Sequence, residues 1–190
     1  MHTRTKLLVA AALAAVAAPV ASAGEFQLSA GGEYIFDSSD TEFAFTGVTV
    51  RGEYFFTDAF GVELEGMMGS GGVDNYDNTS FSFDLDKQYG AYLVGRMPAG
   101  KSGELFARAG FRAGTFDVDY SYSDPYFNYA YSDSVDYNGF SIGAGYTYFF
   151  SDTVGLRADV TTSGASLDND FSPDGNLTSL ALSLVVKFGE

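Results

Sequence analysis

The chain has 190 residues with 25 acidic and 10 basic side chains, a formal net charge of −15, no cysteine, no tryptophan and one histidine. Lack of cysteine excludes disulfide stapling, thiol catalysis and thiolate metal sites, and the acidity argues against nucleic acid or any other polyanion as a direct partner. The mean hydropathy is zero, as for an acidic soluble protein or for a chain whose two faces cancel.

At the start, Arg4 and Lys6 precede an apolar run, Leu7–Ala18, and then Ala21-Ser22-Ala23. This is the pattern of a secretory leader, with cleavage expected after Ala23. The run is too short to span a bilayer as a helix and no later segment is longer, so no helical anchor is expected after export. Losing residues 1–23 removes two bases and no acid, taking the charge from −15 to −17, and removes His2, the one histidine. The expected organisation is a leader, 1–23, and a single domain, 24–190.

From Phe26 onward the apolar residues alternate, which argues for strands. Phe26, Leu28, Ala30, Gly32, Tyr34 and Phe36 share one face; Gln27, Ser29, Gly31, Glu33 and Ile35 share the other. After a turn at Asp37–Asp40, the second strand sets Thr46, Val48, Val50, Gly52, Tyr54 and Phe56 against Thr49, Arg51 and Glu53. The third sets Phe60, Val62, Leu64, Gly66 and Met68 against Glu63 and Glu65. Gly69–Ser80 reads as a polar loop. The fourth strand sets Tyr89, Ala91, Leu93, Gly95 and Met97 against Gln88, Tyr92 and Arg96. The fifth sets Leu105, Ala107, Ala109, Phe111 and Ala113 against Arg108, Gly110 and Arg112.

The sixth and seventh strands form a hairpin about Ser151-Asp152-Thr153. Phe140, Ile142, Ala144, Tyr146, Tyr148 and Phe150 on one arm join Val154, Leu156, Ala158 and Val160 on the other. A loop is expected at Ser163–Gly175. The last strand sets Leu180, Leu182, Leu184, Val186 and Phe188 against Ala181, Ser183 and Lys187. Short turns alternate with long loops, and strands of this length suit a tilted crossing of hydrocarbon. Strand edges cannot stand open in lipid, so the strands must close. The expected fold is all-β, an eight-stranded antiparallel up-and-down transmembrane β-barrel filled by its own side chains. The other fold that the alternation admits is a soluble calycin-like barrel with its faces reversed, and a need for detergent separates the two.

Between the fifth and sixth strands the parity changes meaning. Beyond Thr115 the outward positions are Asp117, Asp119, Ser121 and Ser123, and the inward ones are Phe116, Val118, Tyr120 and Tyr122. Residues 116–138 are therefore expected to project above the membrane as a hairpin, polar outside and aromatic inside.

The runs Gly143-Ala144-Gly145-Tyr146-Thr147-Tyr148-Phe149-Phe150, Val154-Gly155-Leu156-Arg157-Ala158-Asp159, Leu105-Phe106-Ala107-Arg108-Ala109-Gly110 and Leu182–Phe188 resemble the small outer-membrane β-barrels of Gram-negative bacteria. The resemblance is to the OmpA-transmembrane and OmpX type. It implies residence in the cell outer membrane and contact with its lipids and lipopolysaccharide. It also implies insertion by the outer-membrane barrel assembly machinery, which reads a terminal aromatic; Phe188 stands there, followed by Gly189 and Glu190.

Two groups of residues stand out as candidate sites. The first is an interior charge network of Glu33, Arg51, Glu53, Glu63, Glu65, Arg96, Glu104, Arg108, Arg112, Arg157, Asp159 and Lys187. It reads either as a salt-bridged plug or as a narrow ion path gated by a switching pair. Glu63 and Glu65 have the spacing of a glycosidase pair, but an arginine-filled interior offers no sugar cleft. Without histidine, a Ser-His or Asp-His hydrolase constellation cannot be built, so no enzyme activity is expected. The second group is Tyr120, Tyr122, Tyr126, Phe127, Tyr129 and Tyr131 among Ser, Asn and Asp, a mixture suited to an adaptable recognition surface for a host or envelope partner. Its alternative role is packing within the hairpin.

Asp168-Asn169-Asp170 with Asp174-Gly175 misses the glycine and terminal glutamate of a calcium loop. No cofactor or metal site is expected. The chain is expected to serve structure and surface interaction; the second reading is a porin-like channel for ions or small solutes.

Overall fold

The computed structural model describes residues 24–37, 44–70, 72–76, 79–123, 126–167 and 175–189. The expected leader lies outside these residues, as do most of the Asp37–Asp40 turn and the Asp168–Asp174 acids. Nine strand segments follow one another: β1 Glu25–Asp37, β2 Ala44–Phe55, β3 Phe60–Ser70, β4 Gly72–Tyr76, β5 Thr79–Pro98, β6 Gly103–Ser123, β7 Asn128–Phe149, β8 Val154–Leu167 and β9 Gly175–Phe188. β1 pairs antiparallel with β9 from Phe26↔Phe188 to Asp37↔Leu177, so the sheet closes on itself. β3 pairs with β5 as far as Met67↔Gln88, and β4 takes its place from Gly72↔Phe83 to Tyr76↔Thr79. β3 and β4 are thus one interrupted stave, and the closed barrel has eight.

The alternation in the sequence is the physical basis of the two surfaces. Outward positions such as Val48, Leu93, Phe111, Ile142 and Leu182 are exposed and apolar all round the wall, while the intervening Arg51, Glu63, Arg108, Arg157 and Asp159 are buried inside. So large an apolar belt calls for hydrocarbon around it.

Three short turns share the barrel end that also receives Glu25 and Phe188. In one, the Thr57 hydroxyl accepts from Phe60 N–H at 2.9 Å. In another, Ser151 accepts from Val154 N–H at 3.0 Å. These side chains replace backbone partners that a tight turn leaves unmet. In the third, Gly100 adopts φ +85°, a conformation that a side chain would strain.

Two expectations require correction. Gly69–Ser80 is not simply a polar loop: β3 runs to Ser70, and β4 pairs with the first residues of β5. Similarly, β8 continues to Leu167 within the loop expected from Ser163. In these segments the hydrophobic alternation that marks a strand fades while the backbone ladder continues. β5 also contains a bulge between Leu85 and Lys87. The extra residue, Asp86, moves the inward register from odd positions ending at Leu85 to even ones beginning at Gln88.

The projecting hairpin is present as expected. β6 and β7 stay paired without a register break from Gly103↔Tyr148 to Ser123↔Asn128.

Candidate functional site

The barrel interior is layered. Toward the long hairpins, Ile35, Phe45, Met67, Leu85, Phe116 and Tyr137 form an apolar cluster. Phe116 and Tyr137 stack with ring centroids 4.7 Å apart, and the Tyr137 hydroxyl donates to Gln88. Toward the short turns lies a second cluster, Phe55, Tyr92, Val94 and Phe106.

Between these layers stands the central charge network, made of nine of the twelve expected residues. Arg51 donates to Glu65 at 2.8 Å, Glu33 at 3.2 Å and Asp159 at 3.4 Å. Arg108 pairs with Glu63 and reaches Glu65 at 2.9 Å and Asp159 at 3.0 Å. Arg112 bridges Glu65 at 2.8 Å and Glu33 at 3.0 Å. Arg157 pairs with Glu53 and with Glu63 at 2.8 Å. Each guanidinium has at least two carboxylates, the condition under which buried charge is tolerated.

Bulk is accommodated by inward glycine. A Cβ on Gly143 would lie 2.5 Å from Thr161 Oγ1 and 3.2 Å from Arg108 Nε, so the arginine uses space that a larger residue would occupy. Thr161 in turn accepts from Arg108 Nε at 3.0 Å.

Arg96, Glu104 and Lys187 belong to a separate, partly buried group at the short-turn mouth. Lys187 donates to Glu104 at 2.7 Å. Arg96 pairs with Glu25 and, at 3.5 Å, with Glu104. Arg96 also lies 3.7 Å over Phe55, and Lys187 3.7 Å over Phe149.

The sequence reading missed three participants. Glu25 has the same inward parity as Gln27 and could have been found from it. Tyr92 accepts from Arg112 Nε at 3.0 Å and lies 4.5 Å from the Arg108 guanidinium carbon. Gln88 accepts from the Tyr137 hydroxyl at the apolar layer. Both were read as inward, but neither side chain announces an ionic partner.

The hairpin is the second candidate. Tyr120 and Tyr122 are partly buried, whereas Tyr126 is 96% exposed and Phe127, Tyr129 and Tyr131 are exposed. Tyr120 faces Tyr131 across the ladder and Tyr122 faces Tyr129; the Tyr120 and Tyr129 rings lie 6.2 Å apart. The Tyr120–Tyr129 contact lies within the ladder, and Tyr126, Phe127, Tyr129 and Tyr131 are exposed to solvent. The Tyr131 hydroxyl donates to Asp133 at 2.7 Å. This bond holds the carboxyl below its usual range and the phenol above its own. Ser134 donates to Asp117 at 2.8 Å across the outer face.

A closed eight-stave barrel with an apolar wall and a charged, self-paired interior defines a small membrane β-barrel. The chain belongs to the outer membrane protein beta-barrel domain family, whose model matches residues 8–188. The family places it in the Gram-negative outer membrane. No curated protein matches it. Among solved structures, Ail of Yersinia pestis in complex with the heparin analogue sucrose octasulfate is similar, with TM-score 0.59 and 16% identity over 88% of this chain and 100% of that one. OprG of Pseudomonas aeruginosa gives 0.56 and 14% over 88% and 97%. Neisserial surface protein A gives 0.54 and 15% over 88% and 98%. At these identities the likeness is one of fold.

Proposed function

We propose that this is a structural and surface-interaction protein, in which the barrel anchors and the β6–β7 hairpin makes contacts outside the cell. The observation that carries the reading is the interlocked ion network held between two apolar layers. An ion would have to displace packed apolar side chains before meeting the charges, so the interior favours a plug and leaves function to the exposed aromatic tip.

The aromatic belt would contact outer-membrane lipids and lipopolysaccharide, and the barrel assembly machinery would insert the chain after removal of residues 1–23. The hairpin would meet a host or envelope ligand. A polyanion of the kind bound by Ail is not the expected ligand, because the described hairpin carries Asp117, Asp119, Asp133 and Asp136 and no base. No catalytic role is assigned.

Planar-bilayer conductance of refolded residues 24–190 tests the reading, with electrophoretic mobility before and after boiling as the check on folding. A folded, silent barrel is expected. Attachment of cells carrying the chain should fall when Tyr126, Phe127, Tyr129 and Tyr131 are replaced by serine.

The second reading is a narrow channel, and it draws on the redundancy of the ion pairs. Arg108 contacts Glu63, Glu65 and Asp159 together, so it could exchange partners while a path opens. Discrete conductance steps abolished by Arg108→Ala would favour that reading and overturn the first.

A further inference from the structure

Strand β9 is the closing stave, and no tight turn sets its alignment. The short turns between β2 and β3, β5 and β6, and β7 and β8 fix those pairs in register. Residues 168–174 separate β9 from β8, and its other neighbour, β1, lies at the opposite end of the described chain. The outer face of β9 gives little guidance either. Leu180, Leu182 and Leu184 repeat at the two-residue period, so a shift of two residues sets leucine where leucine stood and leaves every side chain on its proper face. Inside, β9 presents the small Ser179, Ala181, Ser183 and Val185 and one charged residue, Lys187. Ser183 accepts from Arg51 at 3.2 Å and Ser179 from Arg112 at 3.3 Å, but both guanidiniums have carboxylate partners besides.

Lys187 differs because its contacts come from across the mouth. It donates to Glu104 of β6 at 2.7 Å, lies 3.7 Å from Glu25 of β1 and sits 3.7 Å over the Phe149 ring of β7. Arg96 pairs with the same two carboxylates, so Lys187, Glu104, Arg96 and Glu25 form a closed ring of alternating charge. A shift of two residues moves Lys187 by ~7 Å, beyond the span of these contacts. Upward, it would stand opposite Ser29, whose partner on β2 is Arg51, and meet a like charge. Downward, it would stand opposite Glu25 and lose Glu104 and Phe149. The outer contact of Phe26 with Phe188, ring centroids 6.1 Å apart, is lost in either shift, but there hydrocarbon chains take its place.

We infer that the mouth ring is a register lock for closure of the barrel. Lys187 selects the alignment of β9 that seats its ammonium between Glu25 and Glu104, out of the set that the leucine wall accepts. The lock serves closure whether the interior is a plug or a path.

The chain has no cysteine, so added thiols report the alignment without background. Ala30 faces Leu184 across the seam. A disulfide forms between directly opposed strand positions, ~5 Å apart, and not between diagonal ones at ~7–8 Å. Ala30→Cys is therefore combined in turn with Leu182→Cys, Leu184→Cys and Val186→Cys, refolded into lipid vesicles and oxidised. The cross-link is scored in the fraction whose gel mobility changes on boiling. Leu184→Cys marks the observed alignment, Val186→Cys the upward shift and Leu182→Cys the downward one.

With Lys187 in place, only the Leu184→Cys pair should cross-link. Lys187→Met keeps the stem and removes the charge. It should lower the excess of the observed alignment at least tenfold and yield both shifted cross-links, and Lys187→Arg should restore the single one. Glu104→Gln leaves Glu25 as the remaining carboxylate, so it should yield the downward shift alone. Phe188→Ala, the outer control, should change none.

Cross-linking of Lys187→Met or Glu104→Gln only through Leu184→Cys, in full yield, would overturn the inference. So would an upward shift in Glu104→Gln, or shifts of equal size in Phe188→Ala. Failure of both Lys187→Met and Glu104→Gln to close at all would overturn it too, because the ring would then be a requirement for closure and not a selector of alignment.

Discussion

Strands β6 and β7 pass through two environments, and the same alternation serves opposite ends in each. Within the barrel their inward positions carry Arg108, Arg112, Ser141 and Thr147, all buried, and their outward positions carry Phe111 and Ile142, exposed. Beyond the barrel, inward positions carry Val118, Tyr120 and Tyr131, and outward ones carry Asp117, Asp119 and Ser132. In the first region polar groups are enclosed because the outside is hydrocarbon. In the second, aromatic groups turn toward one another because the outside is water. The backbone ladder is indifferent to the change and continues through it.

This contrast can be broken most forcefully at Glu65. Its carboxylate accepts from Arg51, Arg108 and Arg112, so Glu65→Ala takes one carboxylate partner from each of three buried guanidiniums and leaves the network with excess positive charge. A loss of about 3–5 kcal/mol is expected, read from urea unfolding of the barrel in bilayers. Next is Phe116→Ala, which opens the apolar layer at the foot of the hairpin. It should cost about 3 kcal/mol, and a barrel that also begins to conduct would identify that layer as the seal.

A matched pair on one strand then sharpens the comparison. Ile142 and Ser132 share the outward parity of β7. Ile142→Arg places a charge in the apolar belt and should cost about 2–4 kcal/mol, whereas Ser132→Arg, among exposed polar groups, should stay within about 0.5 kcal/mol. Equal effects would remove the boundary between the two regions.

The smallest effect concerns pH. Asp133 titrates below its ordinary value of 3.8 because Tyr131 and Ser134 N–H donate to it. A lowered folded-state value means that the carboxylate's contribution is present above pH 3.8 and is lost as pH falls through the lower value. Tyr131→Phe should move the Asp133 titration, followed by NMR, upward toward 3.8.

What could be read from the sequence follows the same boundary. Inside the apolar belt, burial of one face is so strongly enforced that alternation alone located Glu33, Arg51, Glu63, Arg108 and Arg157 on the inner wall. It did not divide the charges into a central network and a mouth, because parity gives a face and not a height along the barrel. Nor did it reveal β4, whose Gly72-Val73-Asp74-Asn75-Tyr76 carries the composition of a loop. At Asp86 a single bulged residue broke the period, so the start of β5 could not be followed back from Lys87. The hairpin was legible for the opposite reason: its aromatic residues kept the inward parity after the lipid-facing signal had ended.

The ladder between β1 and β9 has a consequence for biogenesis. Its partners, from Phe26↔Phe188 to Asp37↔Leu177, are separated by nearly the whole described chain, and Lys187 and Glu25 meet at 3.7 Å beside it. Until β9 arrives, β1 and β8 are two raw margins, and hydrocarbon tolerates neither. Closure must therefore come last and all at once. A chain shortened before Gly175 would have no halfway barrel to settle into, and would wait, unsealed, for degradation.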